Sequence, residues 1–274
     1  MVGIPGLATY AADRAYAAVV TSVRRYVAEF VGTLLLVFIG AGAAVAARVT
    51  GGVVVVALTF GLTLLALVYA IGPVSGCHVN PAVTLGVLIA GRISIAGAIA
   101  YWIAQFAGAA VAGFGLFVLT RWGGVFDQTG ALATNGYGRH INLGGTFLIE
   151  IVLTCVLVLV VLIVTSRAEH AGFAGLAIGF VLTTTNLMAI TLDGASINPA
   201  RSFGPAIFER GAALRQLWVF LVAPLIGGLL AAVLAPALAS AGASYRANAE
   251  EDDEQPLPPA SEQGDISLDP HAER

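Results

Sequence analysis

The stretch SGCHVNPAVTLG occupies residues 75–86, and GASINPARSFGPA occupies residues 194–206. Each carries an Asn-Pro-Ala triplet, Asn80-Pro81-Ala82 and Asn198-Pro199-Ala200. Proline is favoured at the first helical position because the N–H it lacks would have had no partner there. Asn directly before it is a strong N-cap, its side-chain oxygen accepting a backbone N–H of the first turn. Each triplet therefore starts a helix, and capping turns the Asn NH₂ group away from that helix as a donor. The apolar segments that follow, 81–90 and 199–208, are too short to cross a bilayer, which takes about 20 residues. A single Asn-Pro would read as a turn. Two, each opening a short apolar segment, ask for another explanation.

Working outward, six stretches are long and apolar enough to span: 26–47, 53–72, 95–119, 147–166, 173–192 and 217–239. They are continuous runs, not the alternating, half-length segments of a membrane barrel, so they predict helices. Landmarks in the two halves pair at a near-constant offset: Glu29 with Glu150 (121), Gly61 with Gly179 (118), Asn80 with Asn198 (118), Gly108 with Gly227 (119). Three spans per half is odd, so the second half enters from the opposite side, giving an inverted repeat. Short apolar segments at matched places in such halves point to re-entrant elements and a binding site. The fold class expected is an all-α membrane protein, with six transmembrane helices and two re-entrant half-helices.

Composition agrees. The chain of 274 residues is 58% hydrophobic and 11% charged, with a mean hydropathy of +0.90, where soluble domains carry about 25% charged residues. Such a surface needs lipid as its solvent. The first apolar run follows Arg24-Arg25 but ends in no small-residue cleavage site, so it reads as a span that stays in the membrane. Nine of the sixteen acids follow residue 245, in a Pro-containing stretch with too few apolar residues to offset ordering entropy. The expected organisation is an N-terminal tail over 1–24, a channel domain over 25–241 with halves at 25–121 and 146–241, and a disordered acidic tail over 242–274. Span parity puts both termini on one side. Arg24, Arg25, Arg92, Arg167 and Arg246 flank spans on that side, and Arg48, Arg121, Arg139, Arg210 and Arg215 on the other. That tie leaves the positive-inside rule without a decision. Cys77 and Cys155 fit neither a metal spacing nor a disulfide framework. No cofactor, metal or nucleic-acid partner is indicated, and no nucleophile–base pair suggests an enzyme.

Two capped half-helices meeting N-terminus to N-terminus at the bilayer midplane bring two amide donors and two positive dipole ends to one point. A water oxygen there accepts both donors, and its hydrogens are directed away along the axis. That disfavours a proton wire, and the dipole ends repel cations. Such a site suits a neutral molecule with an acceptor oxygen.

With these residues in view, the chain resembles the major intrinsic proteins, the aquaporins and glycerol facilitators. The doubled triplet loops carry the resemblance, together with AEFVGTLLLVF at 28–38 and NGYG at 135–138, the latter similar to the outer loop of bacterial water channels. It covers roughly residues 25–236. It implies a homotetramer with a pore in each subunit, placed in the plasma membrane with cytoplasmic termini. It also implies a selectivity filter of Phe60, Asn186, Ala195 and Arg201. Arg201 follows the second triplet where Val83 follows the first, so the positive charge sits on one side only. A buried guanidinium repels cations and donates to a passing oxygen. Without the resemblance, Phe60 would read as an ordinary core residue. Asn186 stands where water channels carry His, and Ala195 where they carry Thr or Cys, which implies a wider, less polar opening. The chain also lacks the Trp, Gly and Phe of glycerol facilitators. Ser202 and Ala206 lean away from the facilitators, Phe220 leans toward the water branch, and Leu221 departs from it.

Cys77 lies three residues before Asn80, as Ala195 lies three before Asn198, so it is read either as pore wall or as a buried inert residue. His78 either lines the pore or bonds locally. Glu29 and Glu150 are intramembrane acids, by default functional suspects. The preferred reading has them accepting hydrogen bonds from the non-helical backbone that leads into each half-helix, which lipid cannot satisfy. The leading function is a passive channel for water that excludes protons and ions. The alternatives are passage of small neutral solutes such as glycerol, urea or ammonia and, less favoured, an ion-coupled secondary transporter.

Overall fold

The computed structural model describes the backbone of residues 5–46, 52–166 and 172–253, and the side chains of 20–46, 52–166 and 172–239. All regular structure among these residues is helical. The elements are α1 (Pro5–Ala46), α2 (Gly52–Ser75), α3 (Pro81–Ile89), α4 (Ile95–Arg121), α5 (Leu143–Val164), α6 (Ala174–Asp193), α7 (Pro199–Glu209) and α8 (Gly211–Asp253). Six stretches satisfy the length and hydropathy of a membrane span, at Val20–Ala46, Gly52–Ser75, Ile95–Arg121, Leu143–Val164, Ala174–Asp193 and Gly211–Ala239. Many of their outward residues are large and apolar, among them Val27, Leu62, Ile103, Leu148 and Phe180. This is the surface of a multi-pass membrane protein, and α3 and α7 are the two short helices between the spans.

Helix continues into both stretches expected to be tails. Helix α1 starts at Pro5, within the stretch expected to be a tail, and α8 runs on to Asp253, past the expected start of disorder at 242. Both extensions are rich in Ala, the strongest helix former, and Pro5 opens α1 where proline is tolerated best. Low hydrophobicity argues against a packed core, but it does not forbid a helix held by local propensity. Residues 254–274 lie outside the described set. The chain divides into a unit over Met1–Ala235 and a second over Pro236–Arg274.

Within the first unit, the half-helices are held by backbone-to-backbone approach. A Cβ on Gly61 would sit 2.5 Å from the carbonyl oxygen of Gly179, and one on Gly179 would sit 2.8 Å from that of Gly61. The pair lets α2 and α6, repeat-related spans, cross at the tightest possible separation, as small residues do in membrane bundles. Gly113 on α4 faces Gly204 on α7 in the same manner, and Gly228 on α8 lies against the carbonyl of Ala82 on α3. These contacts press each half-helix against a full span. Their N-termini then point at each other inside the bundle.

Candidate functional site

The backbone between α2 and α3, and between α6 and α7, is extended and irregular. It repeats one unusual pattern. Cys77 (φ 50°) and Val79 (φ 44°) are left-handed, and so are Ala195 (φ 50°) and Ile197 (φ 56°), each pair 118 residues from its counterpart. For β-branched Val79 and Ile197 this region is a true outlier and persists only where the surroundings dictate it. The buried acids supply that. Glu29 Oε1 accepts from His78 N–H at 2.9 Å and Oε2 from Val79 N–H at 2.7 Å. Glu150 Oε1 accepts from Ser196 N–H at 2.7 Å and Oε2 from Ile197 N–H at 2.7 Å. Alternation of handedness gathers consecutive N–H groups on one side, where a carboxylate collects them.

Asn80 Oδ1 accepts from Ala82 N–H at 2.9 Å, and Asn198 Oδ1 from Ala200 and Arg201 N–H at 3.0 and 3.3 Å. Each Asn also reaches across the repeat. Asn80 Nδ2 donates to Ile197 O, and Asn198 Nδ2 to Val79 O, both at 2.9 Å. The cross-bonds refine the sequence reading. One N–H of each amide is spent on tying the two loops together, so a single N–H per Asn is left for anything that passes.

Both Asn residues line a narrow cavity of about 50 Å³. A water needs roughly 10–15 Å³, so the cavity has room for about three to five. Phe60, Asn186, Ala195 and Arg201 line the same cavity, and they are 3%, 2%, 1% and 4% exposed. Arg201 also lines a wide vestibule of about 920 Å³. At the other end, Gly76, His78, Val161 and Thr165 are shared with a second vestibule of about 600 Å³. Within the first unit, two broad vestibules are thus joined through the small cavity between them.

The Arg201 guanidinium is fixed through three of its five N–H groups. Nη1 donates to Ala133 O at 2.8 Å and to Asn135 Oδ1 at 2.7 Å, Nη2 donates to Gly194 O at 3.2 Å, and Nε is buried without a partner. Its Cζ stands 5.3 Å from the centre of the Phe60 ring, a cation–π contact. Glu150 and Asp193 are the buried acids whose fields reach it. Asp193 drew no notice in the sequence. Its Oδ1 accepts from Ala195 N–H at 2.9 Å, its backbone carbonyl accepts from Gly136 N–H and Asn135 Nδ2, and its Oδ2 is buried without a partner. It joins the NGYG loop to the second triplet loop. Asn135 was visible in the sequence only as part of that loop. Its Oδ1 also accepts from the Ser202 hydroxyl at 2.7 Å. Gln105, at mid-helix in α4, was missed as well. It donates to Glu29 Oε2 at 2.8 Å and to Thr84 Oγ1 at 2.9 Å. A polar residue inside an apolar span was the available signal for Gln105. Asp193, at a helix end, had no comparable one.

His78 takes both of the roles considered for it. It lines the cavity and the vestibule beyond, and its Nδ1 lies 3.1 Å from Thr84 Oγ1, its ring edge-on to Tyr101. Cys77 lines the cavity and is 6% exposed. Cys155, on α5, does not line it. A thiol-bound mercury ion at Cys77 would fill much of so small a cavity. Mercuric chloride is expected to cut osmotic water flux at least fivefold in wild-type vesicles and to leave Cys77→Ser unaffected. Equal inhibition of the two proteins assigns the effect to Cys155 or to lipid.

Comparison with known proteins places this geometry. Residues 17–235 match the family model described as major intrinsic protein. Among curated relatives, Aquaporin Z of Rhodopseudomonas palustris is 44% identical over 214 residues, covering 75% of this chain and 89% of that protein. Aquaporin Z of Brucella melitensis is 46% identical over 212 residues, covering 74% and 92%. Among solved structures, an aquaglyceroporin from Plasmodium falciparum superposes with a TM-score of 0.67 at 24% identity, covering 78% of this chain and 95% of its own, which speaks for the fold alone. An all-helical bundle with two facing half-helices, a family match over most of its length and relatives above 40% identity lead to one conclusion: the chain belongs to the major intrinsic protein family.

Proposed function

We propose that this chain is a passive transmembrane water channel that excludes protons and ions, and not an enzyme. The observation that carries the proposal is the file between two vestibules, with Asn80 and Asn198 capping opposed half-helices at its middle. The bacterial relatives' name, Aquaporin Z, supports it. Water entering the file loses most of its neighbours. The remaining N–H of Asn80 and that of Asn198 replace them at one point, both as donors. A water there accepts twice and can donate only outward, so the hydrogen-bond direction reverses at the centre and a proton cannot be handed through. The positive ends of α3 and α7 and the guanidinium of Arg201 oppose a cation in the same space. Phe60, Asn186, Ala195 and Arg201 form the selectivity filter in this reading. In this reading Glu29 and Glu150 hold the loops and relay no proton.

The assembly proposed is a homotetramer in the plasma membrane with cytoplasmic termini, each subunit containing its own file. Stopped-flow light scattering on proteoliposomes tests the function. A sucrose gradient should shrink them at least tenfold faster than protein-free vesicles, without acidification of an entrapped pH dye under a potassium-valinomycin potential. Saturable, ion-dependent solute uptake would replace the channel with a coupled transporter.

A further inference from the structure

The vestibule of about 600 Å³ at the His78 end carries a charge that a path for neutral water does not need. Arg25 of α1 and Arg92, between α3 and α4, both line it. Among the described residues, no Asp or Glu lines it, and neither guanidinium has an ion-pair partner. The larger vestibule differs, because Arg139, Arg201 and Arg210 share its wall with Asp193 and Glu209. An arginine at the end of a membrane span is ordinary. Arg24 fits that description, being exposed and outside the vestibule wall. Arg25 and Arg92 are instead brought to one concave wall from separate elements.

Both have donors to offer. Arg92 Nη1 donates to Leu162 O and to Thr165 Oγ1, each at 3.1 Å. That anchors one end of the fork to the last turn of α5. Nε and Nη2, the edge that meets two oxygens at once, make no bond to the described residues. Arg25 is exposed, makes no such bond with any of its nitrogens, and its charge reaches Tyr101 on α4. Guanidinium forks match the oxygens of a phosphate group in charge and in geometry. The start of α4 adds to the field. Ser94 Oγ caps it by accepting from Gly97 N–H at 3.1 Å, and both residues lie in the same wall, so the positive end of that helix borders the space.

We propose that this vestibule binds a phosphate-class oxyanion between Arg25 and Arg92, and that the bound anion restricts entry to the narrow cavity. Thr165, to which Arg92 is tied, lines both spaces, as do Gly76, His78 and Val161. An anion on the open edge of Arg92 therefore sits beside the entrance. The same group arrives free in solution or on a lipid. Continuity of the vestibule with the narrow cavity favours the free anion, since a headgroup keeps its acyl chains outside the bundle. The restriction rests on the narrow cavity being the conducting path, and the binding site does not.

Two measurements on the full chain test this. Calorimetric titration in neutral detergent with sodium phosphate reads the site. Saturable binding is expected in wild type, at least tenfold weaker in Arg25→Gln and unaltered in Arg24→Gln, which removes the same charge from outside the vestibule. Arg25 makes no hydrogen bond in the fold, so its loss leaves no partner unpaired. Absence of saturable binding to wild type, or equal weakening in R24Q and R25Q, overturns the site. Osmotic shrinkage of phosphatidylcholine proteoliposomes, with and without phosphate on both sides at matched ionic strength, reads the restriction. Phosphate is expected to slow wild-type water flux at least threefold and to leave R25Q unslowed. A second set of vesicles contains phosphatidic acid and no added phosphate. Slowing of wild type there, with none by inorganic phosphate, overturns the free anion in favour of a headgroup. Flux insensitive to both overturns the restriction. Wild type that conducts no water without phosphate fails the channel reading, and the titration still decides the site.

Discussion

Glu150→Leu is expected to leave almost no folded channel in the membrane. Glu150 is 1% exposed and its two oxygens hold the N–H groups of Ser196 and Ile197. Leucine fills the volume and accepts nothing. Two backbone donors are then unpaired where no water can reach them, at about 1–3 kcal/mol each. The left-handed Ala195 and Ile197 cost on the order of 1–3 kcal/mol apiece when nothing enforces them. Together these approach the whole stability of a domain, about 5–15 kcal/mol. Gln is no remedy, because its NH₂ would face one of the two N–H groups. Asp keeps both acceptors on a shorter stem. The expected order of damage is Leu, then Gln, then Asp, read as the monodisperse fraction after heating in detergent and as water flux. The repeat predicts the same order at Glu29. An E150L protein with the thermal midpoint of wild type would refute the structural role and reopen a proton-handling one.

Arg201→Val is expected to admit cations. The substitution gives the second triplet the residue type that follows the first, Val83, and so removes the buried charge of the proposed filter, which breaks the inverted symmetry. Two unit charges 4 Å apart interact by about 4 kcal/mol at an effective dielectric near 20, and each 1.36 kcal/mol is about tenfold in rate. The lost repulsion alone is then worth up to roughly a thousandfold. The change also leaves Glu150 and Asp193 buried without their guanidinium, so no fixed cationic side chain opposes a cation at that point. A sodium or proton leak at least tenfold above wild type is the expected reading in dye-loaded vesicles, with water flux retained. Arg201→Lys keeps the charge but not the three-way anchoring to Ala133, Asn135 and Gly194, and is expected to fall between the two. Cation exclusion undiminished in R201V would place the barrier wholly at the half-helix ends.

Much of this was readable before any coordinates, for reasons specific to the elements concerned. Six apolar runs of near-constant length and a doubled Asn-Pro-Ala triplet are local signals. A bilayer imposes the length of each span, and Asn before Pro sets a helix start within one turn. The offsets that pair Glu29 with Glu150 are likewise a property of the chain. The bonds of Asn80 to Ile197 and of Asn198 to Val79 are not local, since each spans more than a hundred residues, and a capping argument leaves both amide protons free. Asp193 went unseen because an acid at a helix end is usually solvated; only the folding of the NGYG loop over it buries it. Gln105 could have been suspected as a polar residue inside an apolar span, yet its partners come from α1 and α3.

By itself, the sequence determined that this is a six-span membrane protein with an inverted repeat, and that two capped half-helices face each other within it. Through resemblance it also pointed to Phe60, Asn186, Ala195 and Arg201 as the filter proposed above. Only the tertiary structure decided which polar atoms are committed: one N–H of each triplet Asn is spent across the repeat, while Nε of Arg201, Oδ1 of Asn186 and Oδ2 of Asp193 are buried without a partner. The physical reason is that a helix start or a span follows from bonds and burial within a few turns of chain. The availability of a polar atom depends on what distant segments bring within 3 Å of it, and that is known only once the loops have closed.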